Sequence, residues 1–329
     1  MSERPTIGFI GVGLMGHGMA RNIVTKGYPL VVLGHRKREP VEHLKSLGAT
    51  EATTPRELAT RCDIVHLCVT GSTQVEANLR GPDGMIASGK RGLIVIDCST
   101  SNPVSTLALG EELKAAGMTL VDAPLSRTPV EAEAGTLDTM VGCDAATFDR
   151  IEPVLRCWAA NVVHLGPLGL GHKMKLVNNF VAMGYAALFS EALAIARKAG
   201  LTIEQFHSVI GSGRMRSGFY DTFIRWSREG DENAHRFTID NAHKDMKYLA
   251  AMADEIGIWV IVCTPPTATT SWVPLITAWA AKCTACCEEP HWRSTVVPGT
   301  FSGRPAASHA VRAMSPACEP MVSTQPKIT

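Results

Sequence analysis

Six residues near the start of the chain, Gly11-Val12-Gly13-Leu14-Met15-Gly16, carry glycine at the first, third and sixth places. That spacing suits a pyrophosphate. Gly11 allows a tight turn, Gly13 lets the backbone approach the phosphates, and Gly16 lets a following helix pack closely on the preceding strand. The first turn of the helix then offers free N–H groups and a partial positive charge to the anion. The ligand so implied is a nicotinamide dinucleotide lying against Gly11, Val12, Gly13, Leu14, Met15 and Gly16. A glycine-rich turn without a ligand is the plainer reading, and the placement of the motif between strand and helix argues against it.

A second group of residues bears on which dinucleotide. After the apolar run 30–33 an NAD site would carry an acid for the ribose hydroxyls. Here the chain reads Gly34-His35-Arg36-Lys37-Arg38, with no acid before Glu39. Basic side chains suit a 2′-phosphate. His35, Arg36 and Lys37 are therefore expected at the adenosine ribose, with NADP favoured and NAD as the alternative. Val69, Thr70 and Ser72, and then Ser99 and Thr100, follow two further apolar runs. They fall where ligands of open parallel sheets collect, outside the carboxyl ends of the strands. Each could equally be a turn residue or a helix cap.

The elements that must position these groups are legible. Apolar runs at 7–10, 30–33, 64–69 and 93–96 alternate with helical segments, which predicts a parallel sheet. From 171 to 199 the apolar pattern describes one long helix, roughly 40 Å at 1.5 Å per residue, closed by Gly200. A buried helix explains its apolar character better than a membrane span, since Asn178, Asn179, Ser190 and Glu191 interrupt it. Segments 203–211, 217–229 and 240–255 also read as helical. The expected fold is an α/β Rossmann domain, a doubly wound parallel sheet, followed by an all-α domain joined by a long interdomain helix. The boundaries are 1–167 for the dinucleotide-binding domain, 168–257 for the helical substrate domain and 258–329 for an atypical tail.

Further stretches make the chain similar to a known family. Val121-Asp122-Ala123-Pro124-Leu125-Ser126, then Ala134-Gly135-Thr136-Leu137 and Met140-Val141-Gly142, resembles the substrate-loop signature of the β-hydroxyacid dehydrogenases. Gly169-Leu170-Gly171-His172-Lys173-Met174-Lys175-Leu176-Val177-Asn178-Asn179 looks like their catalytic segment, and Lys244-Asp245 like a later lysine–aspartate pair. The similarity runs from residue 6 to about 257. It implies hydride transfer between NADP(H) or NAD(H) and a small hydroxy acid or semialdehyde acid. Lys175 would be the general acid and base at the carbonyl oxygen, with Asn179 beside it. Positions four apart share a helix face, and an ammonium can both stabilise an alkoxide and protonate it. Lys173 competes with Lys175, and Asn178 could exchange roles with Asn179 as a substrate contact. Ser126 would receive the substrate's anionic group. Two glycines commonly follow that serine in the family; this chain has Arg127 and Thr128, an arginine–threonine pair like that of sulfolactaldehyde reductases, able to hold a carboxylate or sulfonate. Lys244 would lie near the nicotinamide or close over the cofactor. Family members associate through the helical domain, which implies a homodimer or homotetramer.

Bulk properties narrow the alternatives. Net charge is +1 over 329 residues, so no field points to nucleic acid or an anionic membrane. Nothing at the N-terminus reads as a secretion signal, and the cysteines before residue 258 lack zinc spacing, which suggests a cytoplasmic protein with reduced thiols and no metal site. After Ile258 the character changes. The stretch 258–329 holds four of six Trp, five of ten Cys and nine of nineteen Pro, with only Glu288, Glu289 and Glu319 as acids. A reading-frame shift near residue 258 would account for this, and translating the neighbouring frames tests it. The CxxC of Cys283 and Cys286 has no partner cluster, so metal is not expected there. Two rival readings follow: a catalytically impaired dinucleotide-binding relic, suggested by the altered C-terminus, and a 6-phosphogluconate dehydrogenase-like enzyme, which would need a longer helical domain.

Overall fold

Ile7-Gly8-Phe9-Ile10 is apolar on both faces, as a strand between two helix layers must be. In the computed structural model it forms β1 (Ile7–Ile10), wholly buried. The structure describes residues 4–34, 36–232, 234 and 237–258. The tail beyond residue 258, with its CxxC and its proposed frame shift, lies outside them, as does His35.

From β1 the chain alternates as expected: α1 (Gly16–Thr25), β2 (Leu30–Leu33), α2 (Glu39–Ser46), β3 (Thr50–Ala52), α3 (Pro55–Arg61), β4 (Ile64–Leu67), α4 (Ser72–Leu79), β5 (Ile94–Asp97), α5 (Pro103–Ala115) and β6 (Thr119–Asp122). These six strands are parallel, in the order β3-β2-β1-β4-β5-β6. The order reverses direction between β1 and β4, which opens a crevice at their carboxyl ends. The strand anticipated over 64–69 stops at Leu67, because the Val69 N–H leaves the ladder and donates to Ser99 Oγ at 3.0 Å.

The sheet then departs from the simple parallel pattern. β7 (Leu125–Ser126), α6 (Pro129–Ala134), β8 (Leu137–Gly142), α7 (Ala145–Leu155) and β9 (Ala159–Gly166) follow. β8 runs antiparallel to β6 and β7, and parallel to β9. Apolar clusters fill both faces, one around Phe9, Met19 and Trp158 and the other around Val65, Leu67 and Val95.

The helical part begins with α8 (Leu170–Lys198) and continues through α9 (Ile203–Ile210), α10 (Gly218–Glu229) and α11 (Ile239–Glu255). Gly200 takes φ +90° just past α8, the left-handed stop that glycine permits. Phe189, Leu193, Phe206, Tyr220 and Ile224 form one cluster, while Leu176, Leu249 and Met252 join α8 to α11 in another. The expectation that α8 is a buried helix is corrected on its other side. Met174, Val177, Val181, Tyr185, Leu188 and Ile195 are exposed, because α9, α10 and α11 cover only one face. By length and composition α8 is apolar enough to cross a membrane, although its first turns are tied into the polar network described next.

Candidate active site

The glycine turn has the shape of a cradle. Gly11 sits at φ +96°, and a Cβ there would strike the Cys68 carbonyl, while one at Gly16 would strike the Gly11 carbonyl. A Cβ at Gly13 would meet nothing within 4 Å, so that backbone faces open space. Val12 is buried, Met15 half-buried and Leu14 exposed. No side chain caps α1, which leaves its first turn available to an anion. These features fit a dinucleotide pyrophosphate.

At the end of β2, Arg36 and Lys37 are exposed, and among the described residues neither has an ion-pair partner. Arg38 is already committed. It reaches Glu51 Oε1 at 2.6 Å and Oε2 at 2.8 Å, and Glu42 Oε1 at 2.7 Å. The Glu51 carboxylate approaches the backbone of Gly34, where a ribose-binding acid could act, but Arg38 neutralises it. The residues available for a 2′-phosphate are therefore Arg36 and Lys37.

Across the crevice, α8 and α11 bring four polar side chains together. Lys175 is partly buried near the start of α8. Burial pulls its ammonium down to about 8, Asp245 opposes that shift, and Lys244 adds to it. Asn179, one turn on, is buried and donates through Nδ2 to Asp245 Oδ2 at 2.7 Å. Asn178 is exposed instead, which separates the two asparagines. Lys244 donates to the Thr70 carbonyl at 2.8 Å and the Thr100 carbonyl at 2.9 Å. Its Nζ also lies 3.0 Å from Asp245 Oδ1, an ion-pair contact outside hydrogen-bond geometry. Lys244 thus clips α11 onto the loops after β4 and β5, which carry Val69, Thr70, Ser99 and Thr100. Lys173 is not part of this group.

Sequence reasoning missed the carboxylate that sets the head of α8. Asp122, wholly buried at the end of β6, accepts from the Gly169 and His172 N–H groups, both at 2.7 Å. It serves as the anionic cap that a helix N-terminus favours. Burial raises its pKa, against the opposing pull of His172 and the two N–H groups. The His172 ring donates to the Ser99 carbonyl at 3.1 Å and meets Thr106 Oγ1 at 2.8 Å. Asp97 braces the same region, accepting from Ser99 N at 2.9 Å and Ser101 Oγ at 2.7 Å. An acid closing each of two neighbouring strands was the available signal.

The loop expected to receive substrate follows β6. Ser126 lies on β7 opposite Asp138. Arg127 takes φ +86° and donates through Nε to Asp138 Oδ2 at 2.8 Å. Thr128 is used locally: its hydroxyl and Glu131 form a capping box at the start of α6. Among the described residues no cluster of His, Cys, Asp and Glu could hold a metal ion, and their five cysteines are free thiols.

Comparison with known proteins agrees with this arrangement. Residues 6–166 match the model for the NAD-binding domain of 6-phosphogluconate dehydrogenase, and residues 169–269 the model for NAD-binding of NADP-dependent 3-hydroxyisobutyrate dehydrogenase. The chain is 32% identical to 2-(hydroxymethyl)glutarate dehydrogenase of Eubacterium barkeri, over 75% of this chain and 81% of that one. It is 29% identical to 3-sulfolactaldehyde reductase of Escherichia coli, over 77% and 84%. The fold matches the structure of Mycobacterium tuberculosis 3-hydroxyisobutyrate dehydrogenase with L-serine at a TM-score of 0.71 and 24% identity, covering 79% of this chain and 90% of that one. The cradle, the buried lysine group and these relatives together place the chain in the β-hydroxyacid dehydrogenase family, as an NAD(P)-dependent oxidoreductase acting on CH–OH groups.

Proposed function

We propose that the chain interconverts a small semialdehyde bearing an anionic group and the corresponding hydroxy acid, with NADP(H) preferred to NAD(H). The observation that carries this reading is Lys175. A partly buried ammonium near pKa 8 can hold its proton at neutral pH and still give it up. When bound, the nicotinamide supplies or accepts the hydride. Lys175 Nζ protonates the carbonyl oxygen during reduction and removes the hydroxyl proton during oxidation. Asn179 fixes the Asp245 carboxylate near the lysine, where it opposes the effect of burial on the ammonium. Ser126 and Arg127 receive the substrate anion, Thr128 stiffens their loop, and Asn178 borders the open side. Arg36 and Lys37 meet the 2′-phosphate. Val69, Thr70, Ser99 and Thr100 line the nicotinamide half, with Lys244 holding their loops closed.

The domain division at residue 167, a cytoplasmic location and self-association belong to the same reading. The exposed apolar side chains along α8 support a homodimer or homotetramer built on that helix. The test is a panel of tartronate semialdehyde, succinic semialdehyde and sulfolactaldehyde with NADPH and NADH side by side, and of 3-hydroxyisobutyrate and L-serine with NADP+ and NAD+. Turnover of an anionic member with NADPH is expected. Cofactor binding without turnover of any of them would favour the relic reading instead.

A further inference from the structure

We propose that Asp138 is a positioning residue that holds the Arg127 guanidinium for the substrate anion. The inference rests on reading the 126–128 loop as the anion-receiving loop.

The backbone supplies the first observation. Among the described residues Arg127 is the one non-glycine at positive φ, +86°. L side chains are disfavoured in that region, and an arginine gains nothing from it locally. Something in the surroundings holds the residue there. Ser126 still pairs with Asp138 in the β7–β8 ladder. The reversal at Arg127 turns its side chain back over β8, where Nε meets Asp138 Oδ2 at 2.8 Å.

The second observation is how little of each group this contact uses. Asp138 takes only Nε. The two terminal nitrogens make no hydrogen bond or ion-pair contact among the described residues, although the Glu131 carboxylate is near enough to act on the guanidinium, and they form the planar fork that matches a carboxylate or sulfonate. On the other side, Asp138 Oδ1 is buried with no hydrogen-bond partner. Among the described residues Arg127 is the one side-chain hydrogen-bond partner of Asp138, through Oδ2.

The third observation is location. Asp138 and Met140 lie on the same face of β8. The Met140 carbonyl backs against Gly171, where the approach leaves no room for a side chain. Gly171 is four residues before Lys175 on α8. The strand that holds the anion-binding arginine therefore also seats the helix that carries the proton donor. Positioning of this kind acts through the geometry of the bound substrate.

The experiment compares Asp138→Ala, Asp138→Asn and Arg127→Ala, with NADPH. The probes are succinic semialdehyde, or the panel member turned over best, and its uncharged methyl ester. Asp138→Ala is expected to raise KM for the anion about tenfold, with kcat and the ester little changed. Asp138→Asn keeps an oxygen that can accept from Nε, and should stay within about threefold of the parent. If the charge of Asp138 merely offset that of Arg127, both variants would lower KM for the anion, and the proposal would be overturned. Equal effects on ester and anion, or loss of NADPH affinity, would mark a structural role and overturn it too. Asp138→Ala without effect beside a damaging Arg127→Ala rejects the positioning role alone. Arg127→Ala without effect rejects the reading of the loop.

Discussion

Asn179 on α8 and Asp245 on α11 are joined by a buried 2.7 Å hydrogen bond, and that bond places a carboxylate where it acts on Lys175. Asp245 opposes the downward shift that burial imposes on the lysine, while Lys244 reinforces it. The two neighbours should therefore be separable by sign. Asp245→Asn removes the opposing charge, so the alkaline limb of the reductive kcat/KM profile should move to lower pH, by about one unit. Lys244→Met should move it upward. Shifts in the same direction for both variants would contradict the electrostatic assignment.

Lys244 is also a clip. Its hydrogen bonds to the Thr70 and Thr100 carbonyls hold α11 on the loops after β4 and β5. The ammonium is partly exposed, so screening reduces each bond to about 1 kcal/mol. Lys244→Met should lower the melting temperature by several degrees, roughly 2–4 °C per kcal/mol, and raise KM for the cofactor. An unchanged cofactor KM would show that the clip has no part in binding.

Cofactor preference should reside in Arg36 and Lys37, since Arg38 is held by Glu42 and Glu51. The double substitution to alanine is expected to weaken NADPH by about a hundredfold or more, each lost charge-assisted contact contributing on the order of 1.5–3 kcal/mol. NADH should change less than about twofold. Equal losses for both cofactors would place the discrimination elsewhere.

His66 gives a pH dependence of stability unrelated to catalysis. It is wholly buried, stacked at 5.5 Å on Phe9 and edge-on to Trp158 at 6.1 Å, with neither ring nitrogen hydrogen-bonded. Burial lowers its pKa from 6.5 to about 3. The unfolded chain therefore binds a proton below pH 6.5 that the folded chain refuses. Stability falls as pH drops from 6.5 towards 3, by about 1.4 kcal/mol per unit from this group. Equilibrium unfolding of His66→Phe between pH 7 and 4 should show a shallower slope than the parent. Parallel slopes would remove His66 from the acid response.

Much of this was legible in the order of residues, for a physical reason. The cradle depends on a left-handed backbone at Gly11 and a close backbone approach at Gly16, both of which only glycine tolerates, so composition records it directly. α8 and its stop at Gly200 follow from helical spacing. What was hidden depends on long-range contact. Nothing local tells that Asp122 caps a helix 47 residues away, that Asp138 meets Arg127, or that Asn179 turns inward while Asn178 faces out. The antiparallel β8 was equally invisible, since its short partners carry no periodicity of their own. Thr128 matches a substrate position by its neighbours, and the capping of α6 by its hydroxyl was not legible from that match.

The most direct measurement is kcat/KM against pH for reduction and for oxidation, in the parent chain and in Lys175→Ala. With Lys175 proposed as the general acid, reduction needs it protonated, so the reductive profile should fall as pH rises through about 8, and the oxidative profile should rise through the same value. Lys175→Ala should lose about 10²–10⁴ in kcat, the usual span for a general acid, retain NADPH binding, and lose the inflection. Turnover near the parent level, or an inflection near 8 that survives in Lys175→Ala, would contradict the assignment of the proton to this lysine.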